Sequence, residues 1–149
     1  MVTTLAGGAG LTGSTDATGT AARFNSPAAL AVDSSGNVFV CDAGNHTIRK
    51  ITSAGVVTTI AGSPGVSGTT NANGSSARFN SPQGITLDAS GNLCIADSGN
   101  HAIRKIATNG DVATFAGLAG TSGSTDATGT SARFNTPKAI TLDSSGTFH

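Results

Sequence analysis

The sequence predicts an all-β protein assembled from repeated four-stranded antiparallel sheets. Three observations predict it. The chain repeats itself at a constant offset, the step from Phe24 to Phe79 and again to Phe134, about 55 residues. Each unit holds four short apolar, β-branched runs separated by Gly, Asn and Asp, the pattern of consecutive hairpins. The composition of the 149 residues excludes the main competing classes. With no Glu and 11% charged residues the chain is no coiled coil. It has no apolar run of about 20 residues to cross a membrane as a helix. Its 21 Gly do not fall at every third position as collagen requires.

The repeat is read without gaps. Phe24, Phe79 and Phe134 are equivalent, as are Arg23, Arg78 and Arg133, then Pro27, Pro82 and Pro137, and Asp33, Asp88 and Asp143. His46 pairs with His101. We treat residues 1–149 as one segment of about 2.7 units: roughly 2–56, 57–111 and a partial 112–149. Flexible low-complexity chain would share the Gly, Ser and Thr content but not this period.

The elements follow in order. VTTLAG at 2–7 matches VTTIAG at 57–62 and VATFAG at 112–117, so it is expected to be a last strand standing before any first strand. ALAVD at 29–33 is the first strand of a unit, and an SSGN turn leads from it to NVFVCD at 37–42. The AGNH turn leads to TIRKIT at 47–52, and SAG to VVTTIAG at 56–62. The second unit repeats this with GITLD, NLCIAD, AIRKIA and DVATFAG. The third offers only AITLD at 139–143 and a broken second strand at the carboxyl end. Four antiparallel strands per unit is the pattern of a β-propeller blade. The remaining length lies in the connection between units, which ends three times in Arg-Phe-Asn-Ser/Thr-Pro. That ending is expected to be ordered, with Phe filling the wedge between neighbouring blades and Pro fixing the start of the first strand.

The segments DAGNHTIRKI at 42–51 and DSGNHAIRKI at 97–106 resemble the NHL repeat family. So do the Pro-led segments at 27–37 and 82–92, and the A-R-F-N-[ST]-P endings resemble the long-loop repeats of bacterial members. The resemblance implies a propeller, usually of six blades. Some members bind RNA on a positive face, and some propellers are lyases or lactonases with a central metal. Two copies of this chain amount to about 5.4 units, so a six-bladed ring completed by self-association, a homodimer, is expected. In that ring Val2–Ala6 of one chain joins the blade containing Ala139–Asp143 of the other.

Candidate binding residues lie on the loops and turns: Arg23, Asn25, His46, Arg49, Arg78, Asn80, His101, Arg104 and Arg133. The arginines, with Lys50 and Lys105, could form a basic arc, or could pair locally with Asp and backbone carbonyls. His46 and His101 could contribute to a metal ring, but equivalent positions on adjacent blades stand too far apart for one ion, so a turn role is favoured. Asp42 and Asp97 read as turn acceptors. Asp16 and Asp126, replaced by Asn71 in the middle unit, supply too few oxygens for calcium. Cys41 and Cys94 read as small buried residues.

No catalytic residue, metal or cofactor is expected, because every plausible acid, base or nucleophile is repeated and an asymmetric reaction needs an asymmetric set. The eight basic and eight acidic residues balance, which disfavours DNA. RNA is disfavoured too, since Tyr and Trp platforms are absent. The amino terminus, MVTTLAGG, lacks the basic start and apolar core of a secretory leader, and no membrane partner or compartment is indicated. The expected role is a non-catalytic scaffold or binding module, with a protein or small molecule on a propeller face. The alternatives are a fragment of a propeller lyase or hydrolase and an RNA-binding propeller.

Overall fold

The computed structural model describes residues 1–149. Eight strands form: β1 (Pro27–Val32), β2 (Val38–Asp42), β3 (Thr47–Ile51), β4 (Val57–Gly62), β5 (Pro82–Leu87), β6 (Leu93–Asp97), β7 (Ala102–Ile106) and β8 (Val112–Ala116). They make two four-stranded meanders, β1-β2-β3-β4 and β5-β6-β7-β8, antiparallel throughout. These are the eight strands that the two full repeats predict. Each meander carries the same irregularities in register, at Pro27/Ala29 and Ile48/Arg49 in the first sheet and at Pro82/Gly84 and Ile103/Arg104 in the second. Such bulges bend and twist a sheet.

The turns follow from their residues. Asp33 Oδ1 accepts the backbone N–H groups of Ser35 and Asn37, and Gly36 takes a φ of 80°, closing β1 onto β2. Asp88 repeats this with Ser90, Asn92 and Gly91. Between β2 and β3 a 3-10 turn at Ala43–Asn45 ends on His46, whose φ is 58°; His101 has 56°.

The main core lies between the two sheets. Cys41, Ile48 and Ala61 of the first meet Phe79, Ile85, Ile95 and Val112 of the second. Phe79 is wholly buried there, in the wedge that the sequence predicts. Phe24 and Phe134 are only half-buried, because each lacks one of the two flanking sheets that enclose Phe79. The same reasoning explains the outer face of the first sheet. Leu30 is 63% exposed, while its equivalent Ile85 is 6% exposed because the first sheet covers it.

Two expected strands do not form. Val2–Ala6 joins no sheet, since no third strand stands beside it to supply hydrogen bonds. Ala139–Asp143 forms only a bridge, Leu142 to Phe148, with Thr141 and His149 exchanging backbone hydrogen bonds. A lone hairpin is too small to hold a ladder. This third unit packs against β5, where Gly84 leaves room: a Cβ there would stand 2.9 Å from Ala139 Cα. Three blade-like units therefore stand in a row, two complete and one partial.

Candidate functional site

The polar residues singled out in the sequence converge at the end of each sheet where the long loop folds over it. Asp42 closes β2 with its carboxylate turned inward and fully buried. Its Oδ1 accepts Asn25 N–H at 2.7 Å. Its Oδ2 accepts Asn45 Nδ2 and Arg49 Nη1, both at 2.7 Å. Asn45 Nδ2 also donates to Gly13 O, fastening the loop.

Arg49 is the hub. It is fully buried on β3, and all five of its N–H groups are satisfied. Nη1 donates to Asp42 and to Arg23 O at 2.9 Å, and Nη2 to Thr15 O at 3.1 Å and Asp16 Oδ1 at 2.7 Å. Nε donates to the same Asp16 oxygen at 3.2 Å. The guanidinium also lies 4.8 Å from the centre of the Phe24 ring. Asp16 in turn accepts Thr59 N–H and Oγ1 from β4. One side chain thus ties loop, β2, β3 and β4 together, and its charge is matched by two carboxylates.

The second unit repeats the hub with one change. Arg104 Nη1 donates to Asp97 and Arg78 O, each at 2.9 Å, and Nη2 donates to Thr70 O at 3.0 Å and to Asn71 Oδ1 at 2.7 Å. Asn71 replaces the loop carboxylate, and Arg104 Nε is left buried without a partner. Burial pushes the Asp97 carboxyl above its ordinary value, against the pull of Asn80 N–H, Asn100 and Arg104.

The other candidates serve the same framework. Arg23, Arg78 and Arg133 each turn Nη1 back to two carbonyls of their own loop, capping the 3-10 turns at Gly19–Ala21, Gly74–Ser76 and Gly129–Ser131. Asn25 lies against Gly44, where a Cβ would stand 2.6 Å from its Cγ; Asn80 lies likewise against Gly99 at 2.5 Å. His46 Nδ1 accepts the N–H of Ser81 at 3.0 Å, and His101 Nδ1 accepts Thr136 N–H at 3.1 Å. Each histidine therefore joins its own unit to the start of the next.

Of the two readings of the arginines, a basic arc or local pairing, Arg49 and Arg104 follow local pairing. Both are fully buried because carboxylates and carbonyls at the loop-covered sheet end match their fork of donors. The lysines point elsewhere: Lys105 pairs with Asp88 at 2.9 Å, and Lys50 lies 5.9 Å from the Phe39 ring centre. The pairing of Asp16 with Arg49 escaped sequence reasoning. Its signal is present, since Asp16–Arg49 and Asn71–Arg104 share a spacing of 33 residues. Cys41 and Cys94 are buried free thiols; burial pushes the Cys41 thiol up, and that of Cys94 up to about 11. No three His, Cys or Asp side chains converge as a metal-binding group. No helix is long and apolar enough to cross a membrane.

The strand-borne half of each hub, Asp42 with Arg49 and Asp97 with Arg104, lies between the wedge Phe and the last residue of the third strand. A family model for the NHL repeat matches those same stretches, residues 24–51 and 79–106. The chain carries two NHL repeats. Solved structures share the fold of this chain. One is a Bacteroides thetaiotaomicron protein of unknown function, 30% identical, with 76% of this chain and 29% of that one covered and a TM-score of 0.71. Another is an auxiliary nutrient binding protein of the same organism, 24% identical, covering 80% and 33%, with a TM-score of 0.70. Virginiamycin B lyase of Staphylococcus aureus follows at 19% identity, covering 80% and 32%, with a TM-score of 0.54. The chain spans about a third of the length of these structures. No curated protein sequence matches it.

Proposed function

We propose that this chain is a non-catalytic NHL-repeat binding module whose propeller is completed by self-association. One observation carries the reading. The acids, bases and cations of each complete repeat are spent on architecture: in the first, Asp42 and Asp16 both hold Arg49, and His46 holds the next unit. Nothing in that arrangement leaves a paired acid and base facing solvent for chemistry.

Self-association is supported by what stands unpartnered. Val2–Ala6 has the sequence of a fourth strand and joins no sheet, while Ala139–Asp143 has the sequence of a first strand and forms only a bridge. Leu30 and Val32 expose the apolar face that Ile85 and Leu87 bury between sheets. Two chains related by a two-fold axis would satisfy both deficits at both joints. Size-exclusion chromatography with light scattering tests this. The expected result is a mass twice the 14.4 kDa of one chain, reverting to the single-chain mass in Leu30→Asp with the fold retained by circular dichroism. The single-chain mass at every concentration would overturn the assembly.

A further inference from the structure

The third strand of each complete sheet carries a lysine directly opposite a residue of the second strand: Lys50 faces Phe39, and Lys105 faces Cys94. Residues paired in this way are side-chain neighbours on one face of the sheet. Beside the small Cys94, Lys105 reaches back to the turn and pairs with Asp88 at 2.9 Å. Asp33 is the equivalent of Asp88, yet Lys50 makes no ion pair with it. The Phe39 ring takes up the space beside Lys50, and the ammonium lies over it, 5.9 Å from the ring centre. Asp33 is held by Asn37 and Ser35 instead, with Lys50 acting on it from a distance.

Lys50 thereby lines a cleft between the two complete sheets. Phe39 and Ile60 of the first sheet and Leu93 and Ile106 of the second give the cleft apolar walls, and the exposed Asn73 and Asn109 complete it. Its volume of about 480 Å³ lies in the range of small-molecule sites. Lys50 is the one cation lining it, and no carboxylate does. The Asp111 carboxylate, next to those asparagines, already accepts from Nδ2 of both. The set occurs once in the chain: at the repeat positions of Phe39, Asn73 and Asn109 the neighbouring unit has Cys94, Thr18 and Ala54. Both walls are complete sheets of one chain, so the cleft stands whether or not two chains associate.

We propose that this cleft binds a small carboxylate with an apolar body, the carboxylate on Lys50 and the body against the walls that Phe39, Ile60, Leu93 and Ile106 form. Lys105 shows that a lysine at this position holds a carboxylate placed within its reach. The ammonium of Lys50 is only half-buried, so the ion pair alone is weak. The walls add affinity by burying an apolar group, but alone they do not choose an acid over its amide. The occupant therefore needs both parts. This names a ligand class for the binding-module reading and rests on it.

The test is an amide NMR titration of the full 149-residue chain with 3-phenylpropionate, and in parallel with 3-phenylpropionamide and with propionate. The first keeps both parts of the ligand, the second lacks the charge and the third lacks the ring. 3-Phenylpropionate is expected to shift the signals of Phe39, Lys50, Asn73 and the turn at Thr108, Asn109 and Gly110. Its Kd is expected on the order of 1 mM. The amide is expected to bind at least about threefold more weakly, and propionate about tenfold. Lys50→Met is expected to bring the acid down to the affinity of the amide. Phe39→Cys recreates the pair that Cys94 makes with Lys105, and is expected to draw Lys50 to Asp33 and weaken the acid at least about fivefold. Unchanged signals in the second sheet and around both buried arginines check that the variants keep the fold. Equal affinity for acid and amide, or acid binding that survives Lys50→Met, would overturn the proposal. No shift with any of the compounds, alongside a two-chain mass in light scattering, would overturn this ligand class and leave the assembly standing.

Discussion

Replacing Asn71 by Asp should stabilise the second repeat. The two hubs differ at this residue, so the first shows what the second lacks. Asp16 accepts both Nε and Nη2 of Arg49 and also Thr59 N–H. Asn71 accepts Arg104 Nη2, and Thr114 Oγ1 stands 3.4 Å away, but Nε of Arg104 stays buried and unpaired. A buried donor left without a partner costs about 1–3 kcal/mol, and a charge-assisted bond contributes about 1.5–3 kcal/mol. The side chain of Asp16 is 43% exposed, so solvent screens part of the ionic gain. About 1–2 kcal/mol remains, which corresponds to a rise in Tm of about 3–6 °C for a chain of this size. Urea unfolding is the assay, with the midpoint expected to rise and the slope to stay constant. Asp16→Asn should lose a similar amount, and the two changes should add, because they touch different hubs. An unchanged or lowered midpoint in Asn71→Asp, with Asp16→Asn neutral, would refute the account of the loop carboxylate as the acceptor that completes the arginine's set of partners.

Three further outcomes follow from the same geometry. Phe79→Ala should cost about 3–5 kcal/mol in urea unfolding, and Phe24→Ala clearly less, because only Phe79 is enclosed by two sheets. His46→Ala should cost about 1 kcal/mol through the lost acceptor for Ser81 N–H, and should raise amide hydrogen exchange at Ser81 above that at Thr136, which His101 still holds. Stability should fall on acidification. Asn37, Ser35 and Lys50 hold the Asp33 carboxyl below its ordinary value; Ser145, Thr147 and His149 do so for Asp143. At Asp88 burial works upward, but Asn92, Lys105 and Ser90 together prevail and the carboxyl is again lowered. A lowered carboxyl contributes stability above its unfolded pKa of about 3.9 and loses it as pH falls through the folded value. Asp97, raised by burial, works in the opposite sense within its pair with Arg104. Thermal melts should therefore be level from pH 7 to about 5 and decline below about 4; a Tm that rises between about pH 4 and 3 would contradict this.

Much of this molecule is local, and local structure is legible in a chain. Asp-x-Ser-Gly-Asn specifies its turn through Asp oxygen and Gly φ, so β1, β2, β5 and β6 can be placed from sequence. The constant period marks Phe79 as a wedge residue from sequence alone. Val2–Ala6 shows the limit. Its residues nearly repeat those of β4, yet it forms no strand, because a strand is a property of two segments and the second is missing beside it. Arg49 shows another. An Arg on a β-branched strand reads as a surface cation, since burying an unpaired charge is prohibitive. Only the fold brings Asp42 from β2 and Asp16 from the loop to it and so removes the penalty. The sequence by itself determined the repeat, its turns and the alternation of its strands, all set by neighbours close along the chain. The tertiary structure alone decided which charges are buried and which loop residues meet them. Those depend on groups such as Thr15, Asp16 and Arg49, far apart in the chain, that meet only when the long loop closes over the sheet.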